Sequence, residues 1–413
     1  MNLTYRVPAP DELEDFMRPV WRAFGDPTPE PDTLVDDGAL WEPERSLGAL
    51  DGDQWVGGTG AFTMDLTLPG GGAVPAAGVT MVGVAPTHRR RGILTELMRR
   101  QLDDVAAGPE PVAMLTASES LIYGRYGYGL GTRGARRRLA VAHGALRPDA
   151  PSAGGRGRLV TVDRARALLP PAYERIRAGR PGSVRRSTAW WETHLFLDRA
   201  PSREGASALY VAVHEDGDGA VDGWAAYRMA IDWPDRLPGS TLQVVDLEAA
   251  DDAVRLDLWR LLLAHDLVVE VDQQHGPLDD PLVWSLADPR RLRTTEITDW
   301  LWVRVLDVAA AFGPRRWGGA GSLVVEVVDE RRPEAGGRFS FEADDDGRGA
   351  VRATRAPADL VLGPEEVGAL LLGTVAPSAL ARVGRIVEER GGALRTADAL
   401  FGTERAPHCC TMF

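Results

Sequence analysis

Residues 82–93 read "VGVAPTHRRRGI": an apolar strand pattern, a proline-containing turn, three consecutive arginines and a glycine. Downstream, Leu94, Met98, Leu102 and Val105 recur at the helical period, and Gly108–Pro109 stops the run. The stretch therefore predicts a strand, a basic loop and an amphipathic helix in succession. The first turn of a helix leaves N–H groups unpaired and carries partial positive charge. Arg89, Arg90 and Arg91 oppose that dipole unless something anionic docks at the same point. A phosphate or pyrophosphate at a helix start fed by a glycine-containing loop reverses the penalty, and arginine adds bidentate contacts.

Composition sets the weight of this motif. The chain has 413 residues and a formal net charge of −13. All 47 basic residues are arginine, and Asn2 is the sole asparagine, a bias of the kind a GC-rich bacterial genome produces. Arginine runs then arise by chance, as at Arg136–Arg137–Arg138, Arg185–Arg186, Arg290–Arg291 and Arg315–Arg316. By itself the run leaves a solvated helix start as an open reading. The acidic excess argues against a nucleic-acid coat and favours a small cationic or neutral partner. With 44% hydrophobic and 26% charged residues the chain is of globular composition, long enough for two or three domains. No apolar run approaches the roughly 18–20 residues of a membrane span, and no signal-peptide pattern is visible. The two cysteines, Cys409 and Cys410, are neighbours, which excludes a disulfide framework and fits a reducing cytoplasm.

The ligand class follows from what the motif lacks and has. The Gly-Lys-Ser/Thr ending of a P-loop is missing, and no G-x-G-x-x-G follows the strand. Gly83 interrupts the strand, which marks a bulge or close approach of another backbone. An extended, amide-rich ligand ending in a pyrophosphate, coenzyme A, meets both demands.

Three blocks are expected along the chain. Residues 1–143 begin with a helix from Glu12 to Phe24 and an acidic, turn-rich loop, then give strands, the arginine loop, its helix, and a buried strand at 111–118. The Gly/Pro/Ala-rich 144–158 reads as a linker. Residues 144–298 repeat the order of elements, but the helix start that carried "PTHRRRGI" now carries "AADDAVRL". Residues 299–413 open on the strand "WVRVLDV", continue with a meander, and end in helices including "APSALARVGRIVEE".

"VGVAPTHRRRGI" resembles the acyl-CoA-binding motif of the GCN5-related N-acetyltransferases (GNAT). Together with "ASESLIYGRYGYG" (117–129) and the three-block layout, the chain resembles the Eis family. The resemblance implies an α/β fold of two tandem GNAT-like mixed sheets flanked by helices, the second without CoA, followed by a sterol-carrier-like α+β domain. It implies an acetyl-CoA-dependent N-acetyltransferase acting on amines of aminoglycosides, polyamines or lysine side chains, assembled as a homohexamer. Carried over by position, Val82, Gly83 and Val84 pair with the pantetheine, a strand amide polarises the thioester carbonyl, Arg90, Arg91, Gly92, Ile93, Leu94 and Thr95 hold the pyrophosphate, and Ser118 and Glu119 line the other side. Tyr123 matches the general acid; from the residues alone Tyr126 and Tyr128 compete with it. The family's general base is the carboxylate of the last residue, here Phe413. Close relatives can carry an acidic residue before the terminal aromatic, where this chain has Met412.

Asp26, Glu30, Asp32, Asp36 and Asp37 with Trp41 read either as a cation funnel or as a solvated loop, with Asp26 and Trp41 as candidate substrate contacts. No metal is expected: "HCC" (408–410) cannot close a tetrahedral site, and His143, His194, His214, His265 and His275 read as packing or surface residues. A non-catalytic acyl-CoA- or lipid-binding assembly protein is the alternative.

Overall fold

The structure, a computed structural model, describes residues 3–413. The first 130 residues supply β1 (Leu3–Arg6), β2 (Leu47–Asp51), β3 (Gln54–Thr67), β4 (Ala73–Val84), β5 (Val112–Thr116) and β6 (Gly129–Leu130). Between them lie helices α1 (Leu13–Phe24), α2 (Pro31–Leu40), α3 (Ile93–Ala107) and α4 (Ser120–Gly124). α1 buries Phe16, Pro19, Val20 and Trp21, and Gly25 ends it in the left-handed region at φ 78°. α3 buries Ile93, Leu97, Met98, Leu102 and Val105; of the predicted stripe, Met98, Leu102 and Val105 are buried while Leu94 is half-buried at the first cavity.

The middle of the chain gives β7 (Arg133–Ala140), β8 (Arg156–Val160), β9 (Tyr210–Glu215), β10 (Val221–Ala230), β11 (Ser240–Ala249), β12 (Val268–Gly276) and β13 (Arg293–Asp299). Its main helices are α5 (Val162–Ile176), α6 (Thr188–Trp190), which runs into a π-helical turn at Trp191–Phe196, and α7 (Asp252–Leu263). The last part gives β14 (Leu301–Val305), β15 (Gly321–Val327), β16 (Gly337–Ala343), β17 (Gly349–Ala353), β18 (Leu360–Leu362) and β19 (Ile386–Glu388).

Strand order is β1-β2-β3-β4-β5-β14-β6 in the first sheet, β13-β7-β12-β11-β10-β9-β8 in the second and β17-β16-β15-β18-β19 in the third. This is the expected α/β architecture of two mixed sheets and a smaller α+β unit, with seams other than those expected. The strand at 301–305, expected to open the third block, lies between β5 and β6, antiparallel to both. Residues 133–140, which fall within the expected first block, form β7 and pair with β12 and β13 in the second sheet. Boundaries at 143/144 and 298/299 therefore do not divide the sheets: each GNAT-like sheet takes in a strand assigned to the neighbouring block. Apolar alternation reports that a strand is buried and carries no label for its partner.

Two local expectations also change. The acidic loop is in large part helical, α2, with Pro31 at its first position and no buried side chain; Arg199 of the second domain grips its Asp36 at 2.6 Å. "APSALARVGRIVEE" is not one helix: it stops at Arg382, Gly384 turns the chain at φ 77°, and β-branched Ile386 and Val387 form β19 against β18.

One core joins the first sheet to the third unit. Val112 and Met114 of β5 and Val303 and Val305 of β14 belong to the same buried cluster as Phe312, Trp317, Phe341 and Phe401. At this junction Arg304 of β14 is buried and pairs with the buried Asp329. Arg304→Met leaves that carboxylate buried without its cation. It should destabilise the protein by about 3–5 kcal/mol, read as a lower urea midpoint.

Candidate active site

β4 and β5 run parallel and pair only at Ala76–Gly78 with Val112–Met114, after which they part. Just beyond, β4 carries a bulge: Gly58 faces Gly83 and Gly60 faces Thr80, so Met81 and Val82 together oppose Thr59, with Met81 at φ 56°. A bulge bends the strand and frees backbone groups from the ladder. Gly83 permits close approach, as its position suggests, but the neighbour is α1. A Cβ there would lie 2.9 Å from Val20 Cα.

Two cavities flank the parted strands. The first, about 490 Å³, is lined by Val82, Gly83, Val84, Arg89, Arg90, Gly92, Ile93, Leu94 and Thr95 on one side and by Ser118, Glu119 and Tyr123 on the other. Arg91, expected among these, is exposed and outside the lining. In the loop, Arg90 (φ 63°) and Gly92 (φ 79°) adopt left-handed conformations, a backbone geometry that anion-binding concavities use. Gly92 sits at the N-cap without a side chain to cap the first turn of α3. His88 anchors the loop from behind, Nε2 3.2 Å from Asp51 Oδ2. Among the described residues, no carboxylate pairs with Arg89 or Arg90. With 60 acidic residues in the chain, two neighbouring arginines left open at an uncapped helix start fit an external anion. The cleft thus suits an acyl-CoA: a strand edge for the amide-rich arm and a basic nest for the pyrophosphate.

The second cavity, about 730 Å³, lies on the other side and is bordered by α1, by Asp26 and Asp37, by Trp300 and by the chain's last residues, Met412 and Phe413. Val82, Ser118, Phe24 and Tyr123 border both cavities. Position separates the three tyrosines. Tyr128 is fully buried and lines neither cavity; Tyr126 lines the first alone, its hydroxyl 3.4 Å from Thr95 Oγ1. Tyr123 is buried with its ring edge-on to Tyr128 at 6.1 Å. Burial pushes its phenol above the ordinary value, against a smaller opposing effect of the hydrogen bond with Ser118. It therefore stays a proton donor through the neutral and mildly alkaline range.

The backbone of the C-terminal segment is held from outside the sterol-carrier-like residues 308–410. Met412 O accepts from Trp190 Nε1 at 2.7 Å, and Thr411 O from Trp300 Nε1 at 3.3 Å. The Phe413 ring lies over Gly78, where a Cβ would come within 3.1 Å of it, at the point where β4 and β5 part.

Of the two candidate substrate contacts, Asp26 borders the second cavity and Trp41 does not. Trp41 stacks on Phe16 at 5.8 Å and donates to Ser46 Oγ at 2.9 Å, a packing role. His194, read from sequence as packing or surface, borders the cavity while stacked on Trp190 at 5.3 Å. Burial, and then the Arg186 charge, push its pKa down, so it is neutral there at pH 7. Trp300 and His194 come from outside the first 143 residues, and no pattern around either marks a cavity wall.

A parted parallel strand pair, a bulged strand and a basic nest at a helix start define the GNAT acetyltransferase class, whose members use acetyl-CoA. Residues 4–131 and 182–305 each match an "Acetyltransferase (GNAT) domain" family, and residues 308–410 match "Sterol carrier protein domain". An uncharacterized N-acetyltransferase of Streptomyces avermitilis is 38% identical over 98% of both chains. "N-acetyltransferase Eis" of Mycobacterium tuberculosis is 34% identical over 86% of this chain and 85% of its own. The crystal structure of Eis1 from Mycobacterium abscessus superposes with a TM-score of 0.86 at 34% identity, covering 100% of both chains. The protein is an N-acetyltransferase and belongs to the Eis family, with two GNAT domains and a sterol-carrier-like domain. Among the described residues no helix is long and apolar enough to cross a membrane.

Proposed function

We propose that this N-acetyltransferase moves the acetyl group of acetyl-CoA directly to a primary amine of a cationic small molecule or a lysine side chain. The observation that carries the reading is the meeting of the two cavities at Tyr123. On one side are Arg89 and Arg90 for a pyrophosphate; on the other are Asp26, Asp37 and Phe413, whose terminal carboxylate in this reading serves an ammonium group. In this reading Val82–Val84 align the thioester, with a backbone amide at the bulge opposing charge on its carbonyl oxygen. The Phe413 carboxylate takes the proton from the incoming ammonium nitrogen. The carboxylate passes that proton to solvent; the neutral nitrogen forms the new C–N bond and loses its second proton to the same carboxylate, the C–S bond breaks, and Tyr123 gives its proton to the departing thiolate and recovers one from solvent. Aminoglycosides and polyamines carry the right charge, and the open, acidic second cavity suits several sizes of them. A homohexameric, cytoplasmic enzyme without metal is the form expected from the family resemblance, with the GNAT and sterol-carrier units interlocked rather than separate at residues 143 and 298.

The test is thiol release from acetyl-CoA with a panel of polyamines, aminoglycosides and lysine peptides. Amine-dependent release is expected; no release with any amine despite CoA binding would return the protein to an acyl-CoA-binding role. Arg90→Glu should raise KM for acetyl-CoA roughly tenfold or more with kcat little changed, since it removes a charge-assisted phosphate contact. An unchanged KM would remove the loop from the pyrophosphate site.

A further inference from the structure

The second GNAT-like sheet opens in the same way as the first. β11 and β12 run parallel, pair from Ser240–Val244 to Val268–Gln273, and then part. α7 starts just after β11, as α3 starts after β4. No arginine loop precedes α7. Its first turn is capped instead by Asp251, whose side chain accepts from Val254 N at 2.9 Å. A helix start already capped by a carboxylate has little to offer a phosphate.

What lies in the opening is the chain's own end. Arg405 Nη2 reaches Asp252 at the start of α7 at 2.8 Å. His408 N donates to Pro181 O at 2.8 Å, and Cys409 O faces His275 Nε2 on β12 at 3.0 Å. Cys410 Sγ lies 2.8 Å from Glu248 Oε1 on β11. Arg186 closes the seat. Its side chain is fully buried, its guanidinium is 4.3 Å from the ring centres of both Tyr173 and Trp190, and it holds Asp246 at 2.8 and 3.1 Å. Its Nε donates to Thr411 Oγ1 at 3.0 Å, and Trp190 Nε1 takes Met412 O. The guanidinium also touches Cys410 Sγ at 3.1 Å, so a cation already sits beside the Asp246, Glu248 and Cys410 group whose ligand atoms converge. Each residue from His408 to Met412 is thus bonded to a residue outside the sterol-carrier-like domain, and Phe413 alone projects over Gly78.

We propose that the second GNAT-like domain has become a seat for the C-terminal segment, its parted strands holding residues 405–412 where its fold would otherwise admit an acyl-CoA, and that Arg186 is the positioning residue that aims the Phe413 carboxylate into the amine cavity. The positioning part rests on the reading of Phe413 as the base. It also accounts for a second GNAT domain in a one-site enzyme: the domain supplies the rigid half of an active site completed by the end of the chain.

Arg186 is too deeply buried to be a clean target, so the test uses Thr411→Val, which removes the acceptor of Arg186 Nε at nearly constant shape, and Trp190→Phe, which removes the donor to Met412 O. The full-length protein is treated with a carboxypeptidase and release of Phe413 is timed; kcat is measured in parallel from pH 6 to pH 9. Each variant should release Phe413 roughly tenfold faster than wild type, the loss of one hydrogen bond to a charged or buried donor. Each should show a lower kcat that recovers as pH rises, with KM for acetyl-CoA unchanged. The titratable groups sharing the cavity, Tyr123, Asp26, Asp37, His194 and Asp299, are the same in all three proteins. Release as slow as in wild type overturns the seat, whatever happens to kcat. Faster release with an unchanged kcat overturns the role of Phe413 as base, and the positioning role with it, while the seat stands.

Discussion

Tyr123→Phe is expected to lower kcat about 10²–10⁴-fold, the range of a lost general acid, with both KM values little changed. The substitution keeps the ring and its edge contact with Tyr128, so the fold should hold and the loss should report the hydroxyl alone. Tyr126→Phe gives the contrast: its hydroxyl faces Thr95 in the first cavity and not the second, so kcat should stay within a few-fold. The pH dependence carries a sign. Burial raises the Tyr123 pKa, so the protonated, competent form persists to higher pH than for an ordinary tyrosine. The alkaline fall of kcat should begin above the usual tyrosine value of 10.0 and be missing in the Phe variant. Wild-type activity that falls between pH 8 and 9 would contradict this assignment.

Removing Phe413 is the second large effect. Without a placed acceptor, only amine that is already deprotonated can attack. An alkylamine with a pKa near ~10.4 is about a thousandth free base at pH 7 to 7.5, so kcat/KM should fall about 10²–10⁴-fold at neutral pH. It should then climb about tenfold per pH unit toward the amine pKa, whereas wild type, with its own acceptor, climbs less. The deletion leaves Met412 O on Trp190 and Thr411 on Arg186, so the rest of the tail stays seated.

Legibility in the sequence followed the range of the interactions. α1, α3 and the arginine loop were readable because helical period, glycine stops and the dipole argument act within a few residues. Tyr123, Tyr126 and Tyr128 were not separable: they lie within six residues, and which of them borders both cavities depends on the opening between β4 and β5. The exchange of β7 and β14 between neighbouring sheets had no local signal, because neither "RGARRRLA" nor "LWVRV" carries anything that names its partner strands. Trp41 misled because a tryptophan in an acidic stretch reads as a cation contact, while its stacking on Phe16 is set by the return of the chain from α2 to β2. His194 and Trp300 had no local signal, since both reach the cavity from parts of the chain far from the first domain. The residues seating the tail, Arg186 and Trp190 above all, lie more than 200 positions from it in sequence.

The most direct test of the central claim isolates one functional group. A protein ending in Phe413 carboxamide, made by ligation of a synthetic C-terminal peptide, keeps the ring over Gly78 and loses only the charge and the proton-accepting oxygen. Amine-dependent thiol release at pH 7 should drop about 10²–10⁴-fold with KM for acetyl-CoA unchanged, and should recover progressively as pH approaches that of the free amine. Wild-type turnover by the carboxamide at pH 7 would contradict the account.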